Sequence, residues 1–216
     1  MKEDDFSMKI YDIFKRIFDI FVSVVFLLVC WLPMLVIAII IKCDSKGSAF
    51  FTQRRIGKDR KEFVLYKFRS MSTEAPKDMP THELQHADAY ITKVGKFIRR
   101  TSIDELPQFL NILKGDMSLI GPRPALYNQL DLADERDKYG ANSVRPGLTG
   151  WAQINGRKDV EWNKRIELNV WYVDNMSLWL DIKIIITTFL KVLKNEDNEN
   201  TGATVVAKEE TEAVEK

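Results

Sequence analysis

Apolar positions follow two patterns along this chain. From Ile20 to Ile41 it runs for 22 residues with no ionisable group other than Cys30. Elsewhere, short apolar periods alternate with charged positions. As one helix at about 1.5 Å per residue the run would extend roughly 33 Å, close to the roughly 30 Å hydrocarbon core of a bilayer. Downstream, β-rich segments at 49–53 and 63–68 flank the Gly57-Lys58-Asp59 turn and predict a hairpin. Residues 72–89 are polar, with Pro76 and Pro80, and read as a loop. Helical patterns return at 90–100, 105–113, 126–139 and 160–175, joined by Gly/Pro-rich connections, with no internal repeat. Residues 178–194 set Asp181, Lys183, Lys191 and Lys194 among Ile, Leu, Phe and Trp. That pattern fits either a helix lying in a membrane interface or one packed on the core. The expected fold is α+β and mostly helical, with an N-terminal re-entrant membrane helix kinked at Pro33, a small β-hairpin and interfacial amphipathic helices. Three regions are expected: an N-terminal helix and membrane hairpin (1–41), a catalytic domain (42–194) and an acidic, disordered tail (195–216).

Charge decides how the apolar run is read. The 216 residues sum to a net +1, the value of an ordinary soluble domain, but the sum is a cancellation. Residues 42–70 carry nine Lys/Arg against three Asp/Glu, and residues 195–216 carry two against seven. Basic residues mark the cytoplasmic side of a membrane segment. Here they precede the run (Lys9, Lys15, Arg16) and follow it more densely, so both ends favour the same side. Pro33, two-thirds of the way along, deletes a helical hydrogen bond and favours a kink. A helix that enters and leaves by one leaflet satisfies both flanks. A single span is the alternative. A cleaved signal peptide fits poorly, because residues 1–16 hold four basic and four acidic groups and the run is too long. Two cysteines cannot staple a chain of this length, which points to a reduced, intracellular setting.

The candidate chemistry centres on Asp104-Glu105. Ser102 and Glu105 stand at capping-box spacing, but Pro107 fits better as an early helical residue with Asp104 at the cap. That arrangement predicts a carboxylate with a lowered pKa, beside backbone N–H groups able to receive phosphate oxygens. Basic residues recur with Gly or Pro around this pair, as in Arg54-Arg55-Ile56-Gly57, Lys67-Phe68-Arg69, Lys114-Gly115-Asp116, Gly121-Pro122-Arg123-Pro124, Arg145-Pro146-Gly147 and Asn155-Gly156-Arg157. Arg binds phosphate through paired hydrogen bonds, and Gly admits close backbone approach. Together they suggest a nucleotide diphosphate substrate, with Mg²⁺ between its phosphates and the carboxylates. Walker, G-x-G-x-x-G and D-x-D signatures are absent. His82-Glu83-Leu84-Gln85-His86 spells a zinc-protease motif, but it lies in a polar loop after two prolines, with Glu105 as the one distant candidate for a third ligand. Nucleic-acid binding is not expected, since the basic residues follow a membrane segment and attraction to anionic lipid explains part of them.

Ordered motifs from about Lys9 to Lys194 resemble the bacterial sugar transferases, and more narrowly the small monotopic phosphoglycosyl transferases. They include Phe14-Lys15-Arg16-Ile17-Phe18-Asp19, the Pro-containing run, Phe51-Thr52-Gln53-Arg54-Arg55, Tyr66-Lys67-Phe68-Arg69-Ser70-Met71, Thr101 to Gln108, Leu113 to Ser118, Gly121 to Pro124 and Val144 to Gln153. The resemblance implies transfer of a sugar 1-phosphate from a UDP-sugar to polyprenol (undecaprenyl) phosphate, with release of UMP, at the start of lipid-linked glycan or exopolysaccharide assembly. It implies Asp104 as the nucleophile of a covalent phosphosugar intermediate, and Glu105 as the partner that helps deprotonate the acceptor or hold Mg²⁺. Asp104 and Glu105 are thus the expected metal ligands. Arg123 is the expected phosphate binder, with Lys67, Arg99, Gln153 and Arg157 as donor-pocket candidates. The implied location is monotopic, on the cytoplasmic face of the cell membrane, with membrane lipid and downstream glycosyltransferases as partners. Family members often carry Ser-Pro at the membrane break, where the hydroxyl satisfies freed backbone groups; here the pair is Leu32-Pro33. A catalytically silent membrane adaptor is the competing reading, and the two differ at Asp104.

Overall fold

The computed structural model describes residues 2–79, 84, 86–155 and 162–194. It is mostly helical, with two small sheets and one long apolar helix at the N-terminus. His82, Glu83 and Gln85 of the zinc-protease motif, and the acidic tail, lie outside the described residues.

Helix α1 (Lys2–Asp44) runs without interruption through Pro33. Within Met8–Asp44 its most apolar 18-residue window has mean hydropathy 3.1, with 6% of it buried, so by length and composition it is able to cross a membrane. It nonetheless docks at both ends on one domain. Near its start, the Tyr11 hydroxyl and Lys15 Nζ meet the Asp181 carboxylate at 2.8 and 2.6 Å. About one and three turns beyond Lys15, Asp19 accepts the Leu119 N–H at 2.9 Å, and Phe26 stacks on Phe109 with ring centroids 3.9 Å apart. At its far end Ile41 is buried with Ala49, Phe68 and Ile98, and Asp44 accepts the Val94 N–H. Between these anchors Leu28, Val29, Trp31 and Leu32 are exposed.

The chain leaves α1 through Gly47, whose φ of +111° lies in the left-handed region. A Cβ there would come within 2.3 Å of Arg69 Nη1, the nitrogen that donates to Lys46 O. Strands β1 (Phe50–Ile56) and β2 (Glu62–Phe68) form the antiparallel hairpin, in register from Phe50↔Phe68 to Ile56↔Glu62. The hairpin extends three residues beyond the predicted first strand, and a 3₁₀ turn (Lys58–Arg60) closes it. Next come α2 (Ala87–Tyr90) and α3 (Lys93–Arg100), where Thr92 caps α3 by accepting the Gly95 N–H at 2.9 Å. A 3₁₀ turn (Ile103–Glu105) leads into α4 (Gln108–Lys114).

A second, parallel pair was not anticipated: β3 (Ser118–Ile120) beside β4 (Gly147–Thr149). Three-residue strands are too short to show a period. Helix α5 (Leu130–Lys138) lies between them in sequence, and α6 (Trp151–Asn155), α7 (Trp162–Asp174) and α8 (Leu178–Lys194) follow. Helix α8 packs on the core through Leu180 and Ile184 and leaves Trp179, Ile186, Phe189 and Leu193 exposed.

The main core joins Phe63 and Leu65 of β2, Phe109 and Ile112 of α4, Leu119 and Ile120 of β3, and Ile184 of α8. Fully buried Asn111 crosses it, donating to Val64 O (2.7 Å) and accepting the Tyr66 N–H (3.0 Å). It thereby fixes α4 to β2, whose other edge pairs with no further strand among the described residues. Asn111→Ala strands both backbone groups, so a loss of about 2–4 kcal/mol is expected. Thermal unfolding in detergent should show this as a fall in Tm of roughly 5–15 °C. An unchanged Tm would remove Asn111 from this role.

Candidate active site

Three segments converge on Asp104 and Glu105. The first is the hairpin. Alternation along β1 turns Gln53 and Arg55 inward and Arg54 outward, where its guanidinium covers the Tyr127 ring at 3.9 Å. On β2 the same alternation puts Leu65 and Lys67 in the cleft. The second is the turn between α3 and α4, which begins at Ser102 in a left-handed conformation (φ 56°). The third is the Gly121-Pro122-Arg123-Pro124 loop after β3. Arg136 of α5 holds this loop by donating to Arg123 O at 2.9 Å. Burial pulls the Arg136 guanidinium down to a pKa of about 10.

Asp104 is 9% exposed and accepts no hydrogen bond among the described residues; Lys67 Nζ stands 3.9 Å from its Oδ2. Burial pushes its carboxyl up. Lys67 opposes this most strongly, Glu105 adds to it, and Arg99 and Arg123 oppose it. Glu105 is the reverse case. Burial would raise it, but Lys67 at 2.7 Å and Arg123 at 2.9 Å, both on Oε1, hold it well below the usual carboxylate range. Glu105 in turn raises Arg123. Arg55 completes the cationic wall. It donates to Pro124 O at 3.0 Å and to Gln53 Oε1, and burial together with the like charge of Arg123 lowers its pKa to about 10.

The lowered pKa expected for Asp104 is therefore corrected, and so is the cap. Asp104 lies inside the 3₁₀ turn rather than at a helix start, and it is buried. Pro107 precedes α4, which begins at Gln108, so the absent proline N–H still costs nothing. Of the predicted residues, Asp104, Glu105, Lys67 and Arg123 come together, and Arg99 acts on Asp104 through its charge. No hydrogen bond joins Gln153 to them. Its buried amide has no hydrogen-bond partner among the described residues and lies by Gly150, in the tight Gly121–Gly150 approach where a Cβ would meet Gly121 O at 2.2 Å. Arg157 lies outside the described residues.

The basic motifs divide by task. Arg69 holds the carbonyls of Ser45 and Lys46, and Lys114 meets the Tyr66 hydroxyl, so neither serves the cleft. Arg55 and Gln108, which line it, were not singled out as site residues. Strand alternation was the available signal for Arg55. Among the described residues no group of three His, Cys, Asp or Glu is placed to hold a metal. The oxygen donors at the site are those of Asp104 and Glu105. They suit a hard cation bound by one or two carboxylates and completed by substrate phosphates, since Asp104 has its acceptor capacity unused.

The family pattern described as "Bacterial sugar transferase" matches residues 10–195. EpsL of Bacillus subtilis (strain 168), described as an uncharacterized sugar transferase, is 46% identical over 191 residues, covering 88% of this chain and 92% of that protein. The galactosyl transferase CpsE of Streptococcus agalactiae serotype III is 41% identical, covering 87% of this chain and 45% of its own length. The UDP-glucose:undecaprenyl-phosphate glucose-1-phosphate transferase of Klebsiella pneumoniae is 41% identical, covering 85% and 41%. The chain thus spans nearly all of the first relative and less than half of the other two.

The two carboxylates make opposite contributions to stability. The folded pKa of Glu105 lies below its unfolded value, so its contribution is complete above the unfolded pKa and is lost as pH falls through the folded one. The folded pKa of Asp104 lies above its unfolded value, so ionising it costs stability as pH rises through the folded pKa. At pH 7, Asp104→Asn is expected to raise Tm and Glu105→Gln to lower it. Shifts of the same sign would contradict this electrostatic assignment.

Proposed function

The chain belongs to the bacterial sugar transferase family, and we propose that it moves a sugar 1-phosphate from a UDP-sugar to undecaprenyl phosphate, releasing UMP. The observation that carries this reading is the buried Asp104 carboxylate, which accepts no hydrogen bond among the described residues and lies in the field of Lys67, Arg99 and Arg123. A structural carboxylate at that depth would be hydrogen-bonded. One that must attack phosphorus needs free lone pairs, raised basicity and surrounding positive charge.

In the first half-reaction the Asp104 oxygen attacks the sugar-bearing phosphorus. The bond from that phosphorus to the bridging oxygen breaks, and UMP leaves with the electron pair. Lys67, Arg123 and Arg55 offset the charge on the phosphate oxygens. In the second, a phosphate oxygen of the acceptor attacks the same phosphorus and frees Asp104. The acceptor phosphate is already ionised at neutral pH, so this step needs no strong base. That suits Glu105, whose depressed pKa makes it a weak base and a good anchor for cations. Mg²⁺, held by Asp104 and Glu105, would supply further neutralisation of the donor phosphates.

A two-step transfer suits a water-soluble donor and a lipid acceptor, because the two need not meet. The acceptor enters from the membrane, which we place against the exposed apolar faces of α1 and α8. A re-entrant path for α1 is supported by its two ends docking on one domain, together with basic residues at both flanks of the apolar run. On this reading the domain lies on the cytoplasmic face and the protein is monotopic.

Asp104→Asn is expected to lower UMP release on the order of 10³-fold or more while membrane association persists. Unchanged turnover would sink the nucleophile assignment and favour a silent adaptor. Activity should fall as pH drops through the raised pKa of Asp104. Lys67→Met removes the largest influence lowering that pKa, so the acid limb should move to higher pH. A limb that stays in place or moves down would contradict this coupling.

A further inference from the structure

A cavity of about 270 Å³ opens between the first turns of α1, strand β3, the loop before β4 and the end of α7. It shares no lining residue with the Asp104 cleft. Its charged wall holds Lys15, Arg16, Lys58 and Arg145 against Asp12 and Asp19. Several of these charges already have partners. Lys15 pairs with Asp181, and Asp19 accepts the Leu119 N–H. Arg16 gives both terminal nitrogens to the carbonyls of Ile112 and Leu113 at the end of α4, at 2.6 and 2.9 Å.

Arg145 joins Arg16 at that helix end but donates only Nε, to Gly115 O at 2.9 Å. Its two terminal nitrogens, and Lys58 on the hairpin turn, have no partner among the described residues. The turn is fixed beside the loop by the Asp59 N–H donating to Asn142 O at 2.8 Å. Burial, and then the charge of Arg145, lower the pKa of Arg16, so these two guanidiniums are close enough to repel each other. Asp12 pairs with neither. Two parallel free N–H groups of one guanidinium, with an ammonium nearby, make a site for a phosphate group.

Besides Ser118, Ser143 and Tyr172, the rest of the wall is apolar, with Met8, Val173 and Met176 on one side, which suits an amphiphile better than a free ion. On α1, beside the cavity-lining residues, Ile13, Phe14 and Ile17 are 56–60% exposed and continue into the apolar run. We propose that this cavity binds the phosphodiester headgroup of an anionic phospholipid, with Arg145 and Lys58 as its ligands and the methionine wall against its glycerol. The lipid would fill the gap between α1 and the domain and lock the membrane helix in place. The proposal rests on α1 meeting a membrane and is independent of chemistry at Asp104.

Native mass spectrometry of the protein released from nanodiscs of mixed phosphatidylcholine and phosphatidylglycerol tests this. Wild type should retain one phosphatidylglycerol. Lys58→Gln, which breaks no hydrogen bond of the fold, and Arg145→Gln should each lower the retained fraction about ten-fold, while Lys61→Gln on the same turn should not. Equal retention by wild type and Lys58→Gln overturns the proposal. So does a Lys58-dependent rise in Tm with glycerol 3-phosphate as large as that with phosphatidylglycerol in lipid-free detergent, which would make the ligand a soluble phosphate. UMP release is read in parallel. Its persistence in Lys58→Gln alongside lost retention supports the proposal, and its absence from a wild type that retains lipid counts against the transferase reading alone.

Discussion

An ionisable group held out of water without a hydrogen bond is costly, and the site around Asp104 is organised by that cost. Lys67, Arg99 and Arg123 pull its pKa down but do not cancel the effect of burial, which leaves a carboxylate more basic than an exposed one. Glu105 takes the direct contacts from Lys67 and Arg123, so those cations are fixed in place without occupying Asp104. The cations come from three segments: the hairpin supplies Lys67 and Arg55, α3 supplies Arg99, and the loop after β3 supplies Arg123. The domain can be read as a frame that brings these segments to one 3₁₀ turn. Asn111 and Arg136 hold two of them by binding their backbone.

The second constraint is α1. Its anchors at Asp181, Leu119, Phe109 and Val94 lie on both sides of the exposed stretch around Leu28 to Leu32, so the helix is fixed to the domain at both ends while that apolar stretch stays uncovered. This ties the position of the Asp104 turn to the position of the helix. Leu106, next to the acidic pair, packs against both the main core and the cluster around Ile41. A lipid acceptor approaching along the exposed faces of α1 and α8 would therefore meet a rigid site.

Sequence reasoning found the hairpin, the long apolar helix, α8 and the acidic pair, because each has a strong local signature: strand alternation, an uncharged run, or adjacent carboxylates amid basic motifs. It missed β3 and β4, whose pairing depends on residues 29 positions apart at Ser118 and Gly147. It placed Asp104 at a helix cap because capping is a local rule, whereas burial, which sets its pKa, comes from distant segments. Arg55 and Arg54 are chemically identical in the sequence, and only the face of β1 separates the one in the cleft from the one over Tyr127. Likewise Arg69 and Arg123 sit in similar motifs, yet one secures a loop and the other faces Glu105.

The central claim is that Asp104 itself carries the phosphosugar between donor and acceptor. Intact-protein mass spectrometry after incubation with the UDP-sugar donor and Mg²⁺, without acceptor, tests it directly. The account predicts a mass increase of one sugar phosphate, mapping to the peptide that contains Asp104, absent in Asp104→Asn and discharged by undecaprenyl phosphate. An enzyme that turns over with both substrates but never acquires this adduct from the donor alone would contradict it.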